Sequence, residues 1–137
     1  MREQPTPDLD AALVLGMAST AIPFARSREE EAERWLRILR LHGEAGAALQ
    51  SLGVSEAPLE GPAGHADESE AAGAEDVVGR VVDAASAAAE RRAAPCFTTS
   101  DVLIAVIDVY GNDFNQVLRS HGTDRQEVLE RLHPLAA

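Results

Sequence analysis

The chain has 137 residues, a net charge of −11 and twelve basic residues, every one of them arginine. A single domain of this size buries roughly 68–70% of its unfolded surface, so it needs neither a disulfide nor a metal to fold, and the lone Cys96 cannot close an internal bridge. So acidic a chain repels phosphate backbones, which argues against a nucleic-acid ligand, and unbridged cysteine fits a reducing cytoplasm.

Residues 1–7 carry two prolines and little apolar content and read as a flexible leader. From Asp8, a suitable N-cap, Ala11, Val14, Leu15, Ala18 and Ile22 recur at three- and four-residue spacing, the mark of one buried helical face. The apolar stretch Leu9–Phe24 is too short to span a bilayer and lacks a positive leader, so a buried helix is expected rather than a membrane or secretory segment. Pro23 should stop it.

The spacing predicts a second helix over Arg28–His42 with Trp35, Leu36, Ile38 and Leu39 on its core side. Glu30–Arg34 and Glu33–Arg37 are i,i+4 pairs in the favourable order, and Gly43 suits a C-cap. A short helix over Glu44–Leu52 should end at Gly53. The first helical unit thus spans 8–60. Residues 61–75, rich in glycine, proline and acid without a large apolar residue, read as a linker.

The second unit, 76–134, repeats the order: a helix over Asp76–Arg92, a loop at Ala93–Phe97, then Ser100–Tyr110, Asp113–His121 and Asp124–Leu132. Thr98 and Thr99 can cap the middle helix, with Asp101 placed as in a capping box. The run VLIAVIDVY also suits a buried strand by periodicity alone; the cap and the helical neighbours favour helix.

Sliding the chain by 67 positions sets Val14 on Val81, Ala18 on Ala85, Trp35 on Val102 and Leu36 on Leu103. A shift of 69 sets Leu49 on Leu118 and Gly53 on Gly122. Chance alignment of two alanine-rich halves explains the alanines; duplication also explains the ordered helices and glycine stops.

The segments VVDAASAAA (81–89), FTTSDVLIAVI (97–107) and VLRSHGTD (117–124), echoed by RWLRIL (34–39) and ALQSLGVS (48–55), resemble the N-terminal domain of Clp-type AAA+ unfoldases. The resemblance covers about residues 8–132 and rests on core patterns rather than on a chemical signature. It implies an all-α fold of two pseudo-repeated four-helix units packed into one globule, and a module that captures adaptors or substrates. The chain contains no GxxxxGK[ST] phosphate loop, so it stands without an ATPase module of its own. Family members usually open the second helix of each repeat with threonine–glutamate–histidine; here Ala32-Glu33-Arg34 and Thr99-Ser100-Asp101 stand there. The threonine that opens each repeat, which some members use to hold phosphoarginine, corresponds to Asp8 and Glu75, and carboxylates there would repel a phosphate.

Chemistry-bearing residues are scattered. His42, His65, His121 and His133 form no ligand spacing and are expected to be exposed or capping; no metal or cofactor is expected. Arg34, Arg37 and Arg40 either form a stripe for an acidic partner or an ordinary solvated face, and Tyr110 and Phe114 serve either as core or as aromatic anchors for a partner. The sequence therefore points to a non-catalytic, cytoplasmic protein- or peptide-binding module, an adaptor, decoy or sensor linked to Clp-type proteolysis. Its partner would be a Clp unfoldase, its client or its adaptor, met through Asp8, Glu33, Arg34, Arg37, Glu75, Asp101, Tyr110 and Phe114. The alternative is a sensing domain of a regulatory protein unrelated to proteolysis.

Overall fold

The computed structural model describes residues 5–54 and 77–132. Among these, a two-residue strand β1 (Thr6–Pro7) leads into α1 (Leu9–Ala21), a 3-10 turn (Ile22–Phe24), α2 (Arg28–Leu39) and α3 (Gly43–Ser51). Then come α4 (Val77–Arg91), strand β2 (Cys96–Phe97), α5 (Thr99–Tyr110), α6 (Asn112–Ser120) and α7 (Arg125–Leu132). The fold is helical, as expected, with one small parallel strand pair added.

Capping side chains set most of the helix starts. Asp8 accepts the N–H of Ala11 at 2.9 Å, Ser27 that of Glu30 at 3.1 Å, and Asp124 that of Glu127 at 2.9 Å. At α5 the Asp101 carboxylate accepts the N–H of Thr98 at 2.9 Å and also bonds its hydroxyl, the reciprocal arrangement that spacing suggested. The run VLIAVIDVY is helix.

Residues 1–7 are not a free leader throughout. Thr6 donates to the carbonyl of Pro95 and Asp8 to that of Phe97, so β1 lies beside the segment that precedes α5. Pro5 is buried there and receives a bond from Ser86. Strands of two residues carry no periodicity, so neither partner was visible in the sequence.

One core joins the two halves. Val14, Ala18, Trp35, Leu36, Leu39, Leu49, Val81, Ala85, Leu103, Val106, Phe114 and Leu118 belong to a single buried cluster. The packing is crossed: α2 lies against α6, and α3 against α5 and α7. The linker expected at 61–75 and the end of the first unit, residues 55–60, lie outside the described residues.

Helices α3 and α6 each have nine residues and close alike. Gly53 and Gly122 take φ of +93° and +92°, and Val54 and Thr123 donate back to Leu49 and Leu118 at 3.1 Å in both cases. In the second helices the register differs from the 67-residue slide. The caps Ser27 and Thr98 are aligned only by a shift one helical turn longer, which sets Trp35 opposite Val106 rather than Val102.

Candidate interaction surface

Helix α1 buries one face, the one that its spacing predicted. Ala11, Val14, Leu15 and Ala18 face the core. At 100° per residue, Leu9, Leu13, Gly16, Met17 and Thr20 fall on the opposite side. Leu9 is 75% exposed, Leu13 48%, Met17 41%, and Phe24, in the turn that follows, 74%. An amphipathic surface helix would carry charge there. Here no ionisable residue occurs from Ala11 to Ala25.

The hydroxyls on the outer side of α1 do not make it more polar toward a partner. Ser19 donates to the carbonyl of Leu15 at 2.9 Å and Thr20 to that of Met17 at 3.0 Å, so both are satisfied within the helix. A Cβ added at Gly16 would meet nothing within 4 Å. Glycine in a helix interior costs about 1 kcal/mol against alanine. Nothing within the described chain requires the missing side chain. Among the described residues no helix is long and apolar enough to cross a membrane.

The side chains singled out from the sequence are mostly engaged inside the fold. Asp8 caps α1. Asp101, 3% exposed, is bridged by both guanidinium nitrogens of Arg92, which raises the Arg92 pKa through that hydrogen bond. Arg34 donates to the carbonyl of Ala21 and to Glu30, each at 2.7 Å, and Arg40 to the carbonyl of Val54 at 3.0 Å. Of the three-arginine stripe, Arg37 keeps an exposed position while the other two are anchored to their own chain. Glu75 lies outside the described residues.

Glu33, His121 and Thr99 are placed otherwise than expected, and burial selects the core alternative for Tyr110 and Phe114. Glu33 reaches Nε2 of His121 at 3.0 Å instead of Arg37, because α6 packs across α2 and brings His121 over it. That histidine side chain is 3% exposed rather than solvent-facing. Tyr110 and Phe114 are both buried, so neither is an exposed anchor: the crossing of α2, α5 and α6 closes over them. Thr99 does not cap its own helix; its hydroxyl accepts the N–H of Ala45 at 3.1 Å and so caps α3 in the other half.

Tyr110 sits in the most polar part of the core. Its hydroxyl donates to Glu31 Oε1 at 2.6 Å and accepts from Trp35 Nε1 at 3.1 Å. The Arg28 guanidinium lies 5.0 Å from its ring centroid and donates to Asp113 at 2.8 Å. Burial, then the bond to Glu31, pushes the phenol pKa far above its ordinary value. Sequence spacing could not reveal this group, since its members lie on three helices. Among the described residues no cluster of three or more His, Cys, Asp or Glu is placed to hold a metal. Among the described residues one open polar hollow is lined by Asn112, Asn115, Arg119 and Asp124.

With the α1 face described, comparison with known proteins adds no relative: no family model, curated protein or solved structure matches this chain.

Proposed function

We propose that the chain is a non-catalytic protein-binding module and that the outer face of α1 is its recognition surface. The observation that carries this reading is the exposed, uncharged row Leu9, Leu13, Met17 and Phe24 on a chain of net charge −11. Contiguous exposed apolar surface of this kind is characteristic of protein interaction sites. The engagement of Asp101, Glu31, Glu33 and Tyr110 in internal bonds speaks for binding rather than catalysis.

We further propose that the two halves are a duplicated four-helix unit of the Clp N-domain kind, acting as adaptor, decoy or sensor in Clp-type proteolysis in the cytoplasm. The shared burial of Val14 with Val81 and of Ala18 with Ala85, and the matched ends of α3 and α6, support the duplication. The test is degradation of a folded client by a Clp unfoldase and its peptidase while this protein is titrated in. A change in rate that disappears with Leu13→Glu is expected. An unchanged rate at saturating protein would refute the link to proteolysis.

A further inference from the structure

We propose that Arg28 is a strap across the joint between the two halves. It closes the buried Glu31–Tyr110–Trp35 group off from water, and it opens without unfolding of the chain when salt weakens its hold on Asp113.

The covered group gives the strap its purpose. Glu31, Tyr110 and Trp35 are all buried. Among the described residues the Glu31 carboxylate has one hydrogen-bond partner, the uncharged Tyr110 hydroxyl. A carboxylate held out of water by a single neutral donor is unfavourable unless a cation stands near. Arg28, one helical turn before Glu31, supplies that charge. Its pKa is raised first by the bond to Asp113 and further by the charges of Asp113 and Glu31.

Three contacts lay Arg28 over this group. Its Nε donates to Asp113 Oδ2 at 2.8 Å and an Nη to the carbonyl of Val109 at 3.3 Å. The guanidinium carbon stands 5.0 Å from the centre of the Tyr110 ring. Arg28 begins α2 in the first half, whereas Val109 and Tyr110 end α5 and Asp113 begins α6 in the second. One side chain thus spans the joint, its flat guanidinium lying on a ring face where water would otherwise stand.

The outer hold is of a kind that releases readily. The Arg28 and Asp113 side chains are 47% and 45% exposed. Exposed ion pairs gain little over their hydrated ions and are screened by salt. Rotation of one flexible side chain breaks all three contacts together. The bonds beneath it, from Trp35 to Tyr110 and from Tyr110 to Glu31, lie instead within packed helices. Opening therefore admits water to Glu31 and Tyr110 while the helices stay in place.

Trp35 is the single tryptophan, so its indole N–H gives one signal whose hydrogen exchange reports on opening beneath Arg28. Exchange is measured at fixed pH in roughly 0.01 M and roughly 1 M sodium chloride, between which the Debye length falls from about 30 Å to about 3 Å. The backbone amides of Leu103 and Leu118, both buried, follow global unfolding. Relative to these amides, the indole proton should exchange at least about threefold faster in high salt. Arg28→Met keeps the apolar stem and loses the charge and the donors. It should speed indole exchange at least about tenfold at low salt and remove the salt dependence. Asp113→Asn, which leaves Arg28 in place, should act in the same direction. Indole exchange unchanged in both variants, or without salt dependence in the wild type, overturns the proposal. So does an acceleration matched at Leu103 and Leu118, because Arg28 would then be a support of the whole fold.

Discussion

The indole N–H of Trp35 donates to the hydroxyl of Tyr110 across 3.1 Å, tying α2 to α5 through a bond that lies wholly inside the core. The same hydroxyl donates to Glu31, whose side chain is buried. Replacing Tyr110 by Phe leaves an indole donor and a carboxylate acceptor short of a partner. A loss of about 1–3 kcal/mol in urea unfolding is expected, with altered Trp35 fluorescence in the folded state.

Alkali provides a second reading of that hydroxyl. Its folded pKa lies above its unfolded value near ~10. The stabilisation is therefore complete below that pH and declines as pH rises beyond it, because only the unfolded chain releases the proton there. Tyr110 is the single tyrosine, so phenolate absorbance reports on it alone. Absorbance and loss of helical ellipticity should rise together. Phenolate appearing at about pH 10 with the helices intact would show the phenol to be open to water.

Thr99 and Gly43 form a close contact between halves. A Cβ at Gly43 would stand 2.5 Å from Thr99 Oγ1, and its φ of +63° disfavours any side chain. Gly43→Ala should cost more than the about 1 kcal/mol of an ordinary glycine replacement at positive φ. Thr99→Val should cost about 1 kcal/mol by uncapping α3, and Thr99→Ser should restore the cap. Because the two residues touch, the double replacement Gly43→Ala with Thr99→Ala should be less damaging than the sum.

Arg92→Ala removes the cation from Asp101 but leaves that carboxylate buried at the start of α5. The expected loss is about 1–3 kcal/mol, set by the stranded group rather than by the half-exposed arginine. Asp101→Asn should recover part of it in the Arg92→Ala background, since an amide is cheaper to bury than a carboxylate. Thermal melts of the two variants and their combination measure this.

Gly16→Ala tests the outer face of α1 from the side of the isolated chain. With open space around it, the new methyl should stabilise the dilute protein by about 0.5–1 kcal/mol through helix propensity. A destabilised dilute protein would mean that something of the same chain covers this position.

What the sequence revealed, and what it withheld, follows from the range of the interactions. Asp8, Asp124 and the Thr98–Asp101 pair cap the helices as read, because a cap acts over three residues. Gly53 and Gly122 end theirs for the same local reason. Thr99 also looked like a local cap, yet its acceptor role is toward Ala45, 54 residues away. Glu33 has one attractive neighbour on its own helix, Arg37, and another, His121, that only the packing of α6 brings near. The exposure of Leu13 and Met17 was hidden for a different reason. Spacing picked out the core side, Ala11, Val14, Leu15 and Ala18, but a helix apolar on its other side too gives no polar contrast to mark that side as exposed.

The pairing of Thr6 and Pro7 with Cys96 and Phe97 joins the beginning of the chain to a point beyond its middle. On a ribosome that adds residues in order, α1 through α3 therefore emerge well before the strand and helices that cover them. The early half must wait, its inner leucines and Trp35 bare, until Phe97 and α5 have cleared the exit tunnel. Slow synthesis just before that point would prolong the time when the nascent chain most needs a chaperone.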